Sequence, residues 1–351
     1  MAYEVDYLPV GEGQRSGDAI VLRFGNFTGP RDQQYIIVID GGYKESGEAL
    51  VKHINYYYGT NEVNLVISTH PDIDHASGLC SILENMDVKE LWMHKPWEHA
   101  QDIKNFFKNG QITASGLQEK IEKSLQYASD LDSIAQKKRI PIFEPFQGLN
   151  AGGVIQVLGP SKDYYQNLLP HLKDMPAPKP SLGIFAPLIK KAEEAVEWIE
   201  DNMNVDLLND DDDATSASNN TSTIILFNLD GHKLLFTGDA GKTALFNAIT
   251  YAESLPTPIL LSDLHFLDVP HHGSKRNISS KILRKIKTQT AFVSAPKDSD
   301  KHPAKKTTNA LQKHGAYVFV TRGTSLLQHN QGNARGWGNA QAEPFHPKVE
   351  V

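Results

Sequence analysis

Ile67-Ser68-Thr69-His70-Pro71-Asp72-Ile73-Asp74-His75 is the stretch that decides the fold: an apolar run of β character, Val63 to Ser68, ends in two imidazoles and two carboxylates. A loop at the C-terminal end of a strand presents metal ligands in this way, because the sheet fixes the backbone while the side chains stay free. His70, Asp72 and Asp74 alternate, so an extended backbone turns all three to one side, and His75 as the next residue faces a second, adjacent ion. The spacing suits a two-metal hydrolytic site. Two later segments have the same character. Lys233-Leu234-Leu235-Phe236-Thr237-Gly238-Asp239 is a strand closing on Gly-Asp, and Phe266-Leu267-Asp268-Val269-Pro270-His271-His272-Gly273-Ser274 is an apolar run closing on histidines. Three strand ends thus deliver hard or borderline ligands. Asp239, arriving from a different strand than the first loop, is suited to bridge two ions.

In their order these segments resemble the metallo-β-lactamase superfamily, and more closely the ComEC-type competence metallo-hydrolase domain. The likeness rests on Gly11-Glu12-Gly13, Gly17-Asp18-Ala19-Ile20, Asp40-Gly41-Gly42, the His70 to His75 loop, Asn219-Asn220-Thr221-Ser222, Gly238-Asp239 and Val269 to Ser274. His302-Pro303 followed by Leu311, Gly315 and Val318 to Thr321 is similar to the closing segment of that domain. The resemblance implies an αββα sandwich and two divalent metal ions, zinc or manganese with magnesium also admissible. Their ligands would be His70, Asp72, Asp74, His75, Asp239 and His272. It further implies Asp74 as the residue that orients the attacking water, His271 as a neighbour of the ligand shell with the reverse assignment of the histidine pair left open, and His302 as a contact to substrate or leaving oxygen. Asn220, Ser222, Ser274, Lys275 and Arg276 are the expected substrate-binding residues.

The chain departs from the superfamily pattern in two places. Asp72 stands where most members have histidine, a substitution that the ComEC-like branch shares. No histidine occupies the usual place between the first loop and Gly238-Asp239 as third ligand of the first ion. His94 and His171 are the loose candidates, and the first reads better as a core or surface residue in an aromatic setting. An oxygen-rich first site favours manganese or magnesium as competitors of zinc.

Composition sets limits. With 351 residues, 40% hydrophobic and 22% charged, the chain is globular, and we expect one α/β domain over residues 1–351. Its single cysteine, Cys80, excludes an intrachain disulfide and a thiolate zinc cluster, which fits a reducing cytoplasm. No apolar run has the length of a membrane span, and the N-terminus lacks a secretory pattern, so no membrane partner is expected. The formal net charge of -7 argues against coating nucleic acid through overall charge. Even so, Lys275 and Arg276 follow the histidine loop directly, and Lys301, Lys305 and Lys306 surround His302.

Along the chain, Glu4 to Val10, Asp18 to Phe24, Tyr35 to Asp40 and Val63 to Ser68 read as strands, with a helix from Ser46 to Tyr58. Two insertions are expected. One, at about 97–140, is helical; the other, at about 161–217, holds an amphipathic helix from Pro187 to Met203 and the acidic run Asp210 to Asp213. Ser222 to Asn228 and His232 to Phe236 pair across Asp230-Gly231, a hairpin signal. The function expected is a metal-dependent hydrolase, a phosphodiesterase or nuclease whose partner is nucleic acid or another phosphodiester. A small-molecule ester, lactone, phosphonate or cyclic-nucleotide hydrolase is the alternative enzyme. A regulatory subunit of a bacterial defence assembly, with the insertions binding a protein partner, is the non-catalytic one.

Overall fold

Alternation along the first strand sets up the layers. In the computed structural model, which describes residues 1–179, 197–210, 215–331 and 335–350, Tyr3, Val5 and Tyr7 of the strand Ala2–Tyr7 enter one core while Glu4 and Asp6 take the other face. The same rule sends Ile20, Leu22, Ile37, Ile39, Leu65 and Ile67 inward. Val21, Ile36, Val38 and Val66 join a second apolar cluster built with helices.

The first sheet runs Leu326–His329, Ala2–Tyr7, Ala19–Gly25, Gln34–Gly41, Leu65–Ile67, Leu91–Trp92, Ile142–Phe143. Pairing is antiparallel up to Gln34–Gly41 and parallel beyond it. The second sheet runs Tyr317–Val320, Thr288–Val293, Leu264–Asp268, His232–Phe236, Ile224–Leu229, Ile155–Gly159, Asn150–Ala151, parallel as far as His232–Phe236 and antiparallel afterwards. Between the sheets Phe292 packs edge to face with Tyr7 and Phe266, which are tilted against each other, with ring centroids 5.1–5.8 Å apart. Lys44–His53, Leu79–Asn85 and Gln126–Lys138 cover the first sheet; Lys242–Ser254, Ser280–Lys285 and Lys305–Lys313 cover the second. The result is the expected αββα sandwich. Asp230 (φ 52°) and Gly231 (φ 86°) form the two-residue turn between paired strands. Among the described residues no helix is long and apolar enough to cross a membrane.

The helical reading of residues 97–140 is met by Pro96–His99, Ala100–Ile103, Ala114–Ser124 and Gln126–Lys138, whose Trp97, Leu117, Ile121 and Leu131 extend the helical layer of the first sheet. The expected Pro187 to Met203 helix lies largely outside the described residues. Its C-terminal part is a correction: Trp198–Glu200 is a strand, paired antiparallel with Lys348–Glu350. Helical spacing of apolar residues cannot register a ladder partner about 150 positions away, and the ladder wins. Of the acidic run, Asp210 accepts the Lys281 backbone N–H at 2.9 Å at the start of Ser280–Lys285, while Asp211 to Asp213 lie outside the described residues. Cys80 packs against the core, and burial pushes its thiol up to about 11.

Three glycines bring the first sheet and its helices into backbone contact behind the His70 loop. A Cβ at Gly47 would stand 2.0 Å from the Gly78 carbonyl oxygen, and one at Gly78 would stand 2.0 Å from that of Gly41. No side chain can yield there, because the obstacle is backbone. Gly47→Ala is therefore expected to cost about 1–3 kcal/mol of stability, read as a lower midpoint of urea unfolding with an unchanged m-value.

Candidate metal centre

The site forms where parallel strands of both sheets end. Leaving Leu65–Ile67, the chain is held by Asp40, which accepts the Thr69 backbone N–H at 2.8 Å and the Thr69 hydroxyl at 2.6 Å. Asp40 itself has φ +54°, a conformation costing about 1–3 kcal/mol that persists only where its surroundings over-determine it. Asp72 then starts the short helix Ile73–Ala76, which turns His75 inward. From the second sheet, Gly238 (φ +49°) follows His232–Phe236. A Cβ there would lie 2.8 Å from Thr69 Oγ1, so glycine is what lets Asp239 approach the histidine loop. After Leu264–Asp268, both His271 (φ 49°) and His272 (φ 53°) are left-handed.

These loops meet around one carboxylate. Asp239 Oδ1 lies 3.4 Å from His75 Nε2 and 3.6 Å from His272 Nε2, and Oδ2 lies 3.5 Å from His271 Nε2 and 3.8 Å from His70 Nε2. Asp72 Oδ2 is 3.8 Å from His70 Nε2, and ligand atoms of Asp74, His75 and His272 lie within 4.8 Å of one another. His70 Nε2, His75 Nε2, both His272 ring nitrogens and Asp239 Oδ1 are buried without a hydrogen-bond partner. Imidazole nitrogens converging on a carboxylate, buried and unsatisfied, are the donor set of a divalent cation.

The charge balance agrees. Burial opposes the charged forms throughout, yet Asp239 and Asp40 hold the His75 imidazolium well above the usual histidine range. Asp239 and Asp18 likewise hold His272 at about 9. Asp239 is itself carried well below the ordinary carboxylate value, its burial outweighed by His271, His75 and His272. Without a metal the site draws positive charge onto its histidines, and a divalent ion would take the place of those protons.

His70, Asp72, Asp74, His75, Asp239, His271 and His272 are thus brought together. The remaining expectations divide. Asn220 and Ser222 are 0% exposed; their side chains accept the backbone N–H of Gly241 (3.2 Å) and Asp239 (3.1 Å), so they shape the Gly238-Asp239 turn and do not reach substrate. Ser274 Oγ accepts the Arg276 N–H, which ties it to its own turn. Lys275 is half-buried and Arg276 exposed beside the histidines. His302 is 4% exposed, with Nδ1 3.3 Å from the His272 carbonyl oxygen. Burial, then His272, His271 and Lys301, push it down to about 3. Its Nδ1 is engaged by the backbone of the histidine loop, which it helps to hold. His94 is buried against Tyr165 and Phe146, at 4.3 and 4.7 Å between ring centroids, and belongs to the core.

The sequence reading missed the outer carboxylates. Asp40 Oδ2 lies 2.8 Å from His75 Nδ1, and Asp18 Oδ1 lies 3.5 Å from His272 Nδ1, which directs both Nε2 atoms at Asp239. Asp268, whose carboxyl is raised well above its ordinary value by burial and then by the Asp18 charge, accepts the Tyr7 hydroxyl at 2.9 Å. Their motifs, Gly17-Asp18 and Asp40-Gly41-Gly42, were visible, but nothing in their spacing shows which histidine each meets.

The sequence profile of the metallo-beta-lactamase superfamily matches residues 23–296. ComE operon protein 3 of Bacillus subtilis (strain 168) is 25% identical over 118 residues, a stretch covering 33% of this chain and 14% of that protein. Similar solved structures include a metal-dependent hydrolase of the beta-lactamase superfamily, with 11% identity, coverage of 92% of this chain and 98% of that one, and a TM-score of 0.44. A diphosphatase from the PhnP family has 11% identity, coverage of 94% and 99%, and a TM-score of 0.40.

Asp40→Asn keeps the size of the side chain and removes its charge, so His75 loses the partner that orients it. Metal affinity is expected to fall about 10–100-fold, measured by calorimetric titration of metal-free protein with Mn²⁺ or Zn²⁺.

Proposed function

We propose that this chain, which belongs to the metallo-beta-lactamase superfamily of metal-dependent hydrolases, is a phosphodiesterase that cleaves nucleic acid with two divalent ions, zinc or manganese with magnesium a competitor, held about Asp239. The observation that carries this reading is the group of cations beside the histidine loop. Lys275 and Arg276 leave the histidine loop directly. Burial pushes the Lys275 ammonium down, Glu350 opposes this, and Lys306 and Arg276 add to it. Lys301 acts on both His271 and His302. In a chain of net charge -7, positive charge gathered beside the ligand loop fits a polyanionic substrate.

Divalent ions bound here would polarise a phosphoryl oxygen and lower the pKa of water. The protein's own groups supply the rest. Asp239 offers one oxygen to each side of the site, and the Asp74 carboxylate, close to His75 and His272, would help hold an ion there and orient the attacking water. Arg276 and Lys275 hold the flanking phosphates, the first through a planar fork and the second as a point charge. His302 keeps the loop between His272 and Pro303 in register. The cytoplasm, expected from cysteine usage, gives such an enzyme access to its substrate.

Asp239→Ala is expected to abolish cleavage of DNA or RNA, whereas Lys275→Ala with Arg276→Ala leaves kcat nearly intact and raises KM. The double variant should also flatten the plot of log affinity against log salt by about two units, one for each lost phosphate contact. Steady-state kinetics over a salt series decides this. A wild type that cleaves no nucleic acid with any of the three metals, yet turns over small esters or cyclic nucleotides, would replace the reading by a small-substrate hydrolase. Asp72→His, which exchanges a hard oxygen for imidazole, should raise zinc occupancy relative to manganese in a competition measurement.

A further inference from the structure

We propose that the neighbouring histidines His271 and His272 divide between the two ions, His271 joining His70 on the Oδ2 side of Asp239 and His272 joining His75 on the Oδ1 side. The proposal rests on the two-ion reading above. It assigns His271 to the place left open by the missing histidine in the middle of the chain, and it makes the tandem pair, not a single histidine, the contribution of this loop.

The distances sort the imidazoles into two pairs. His271 Nε2 and His70 Nε2 both face Asp239 Oδ2, at 3.5 and 3.8 Å, with Asp72 Oδ2 3.8 Å from His70. His75 Nε2 and His272 Nε2 both face Oδ1, at 3.4 and 3.6 Å, with Asp74 close to each. Each side therefore combines two imidazole nitrogens, one oxygen of the shared carboxylate and one further aspartate. Metal bonds of roughly 2 Å would draw each pair of imidazoles inward toward its carboxylate oxygen, from 3.4 and 3.6 Å on the Oδ1 side and from 3.5 and 3.8 Å on the Oδ2 side.

Hydrogen bonding fixes which nitrogen of His271 is available. The Asn277 side-chain amide donates to the carbonyl oxygens of Asp239 (2.9 Å) and Ala240 (3.2 Å), which leaves its Oδ1 turned toward His271. That oxygen lies 2.9 Å from His271 Nδ1 and can only accept, so Nδ1 carries the proton. Nε2 keeps its lone pair and directs it at Asp239 Oδ2. Two electron-rich atoms 3.5 Å apart call for positive charge between them. The Asn219 amide N–H donates to Asp239 Oδ2 at 3.3 Å and lies against the edge of the His271 ring, 3.2 Å from Nδ1 and 3.4 Å from Nε2, without singling out either nitrogen.

The backbone is shaped to the same end. Two successive non-glycine residues in the left-handed region cost about 1–3 kcal/mol each. This conformation sets the His271 and His272 rings 71° apart in plane, with centroids 5.8 Å apart, astride one carboxylate.

The test counts ions. Metal-free protein is titrated with Mn²⁺, bound metal is counted by elemental analysis after gel filtration, and magnetic coupling between neighbouring ions is read by EPR. Wild type is expected to hold two coupled ions. His271→Asn keeps a group at the position of Nδ1 for Asn277 and deletes Nε2, so it should hold one uncoupled ion. His271→Gln, whose amide oxygen reaches toward the position of Nε2, should recover part of the second ion, and His272→Asn should lose the ion on the other side. Thermal unfolding of the metal-free variants identifies any that fail to fold, in which case the Gln variant carries the count. Two coupled ions of wild-type affinity in a folded His271→Asn overturn the division while leaving the two-ion reading intact. A wild type that binds one ion at saturation overturns both.

Discussion

Asp239 is the residue on which the rest of the structure depends. A buried carboxylate surrounded by four imidazoles is stable only if positive charge accompanies it, and the chain provides this by drawing protons onto His75 and His272 or by accepting cations. The local strain serves this arrangement. Gly238 removes the Cβ that would strike Thr69, Asp40 takes a left-handed conformation to hold Thr69 and His75, and the histidine pair takes two more such conformations to reach both carboxylate oxygens. The ordinary stabilising elements, apolar strands and covering helices, stand behind these loops and keep them in place.

The centre also joins the two halves of the sandwich. Asp40, the His70 loop and Asp18 come from the first sheet; Asp239, Asp268 and the histidine pair come from the second. Tyr7 reaches across the inter-sheet core to Asp268, Asp18 reaches to His272, and the Ser294 hydroxyl donates to the Gly17 carbonyl at 2.5 Å. Relative sliding of the sheets would break these cross-sheet contacts. A chain built in this way couples the binding of metal to the cohesion of its two sheets.

A second buried polar cluster has a different character. On the outer face of the first sheet, Glu4 and Asp6 are fully buried and paired by Arg335 at 2.8 and 2.7 Å, with Arg23 on Glu4 and His53 and Tyr58 on Asp6. The fixed cations there are arginines, whereas around Asp239 the partners are imidazoles, which can release their protons to a metal ion. Taking such charges from water offsets much of what their pairing returns, so the cluster specifies where the segment after the last strand of the first sheet lies more than it stabilises the fold.

How much was legible follows from the range of each interaction. Alternation in Ala2–Tyr7 and Gln34–Gly41, the Asp230-Gly231 turn and the strand ends carrying His70, Asp239 and His271 are local patterns, because the side-chain directions of a strand and the needs of a turn are set within a few residues. Those patterns, with the order of motifs, were enough for the sandwich and for the ligand-bearing loops. Long-range pairing was not legible: Leu326–His329 beside Ala2–Tyr7, and Trp198–Glu200 beside Lys348–Glu350, depend on partners that no local period encodes. The same limit applied within the site. Which face of Asp239 each histidine takes, that Asp18 and Asp40 stand behind His272 and His75, that Asn220 and Ser222 are buried beneath the Gly238-Asp239 turn, and that His302 is buried against the His272 carbonyl were decided by tertiary packing. Burial, tautomer and charge are properties of an assembled environment, and only the folded chain brings those groups within a few ångströms of one another.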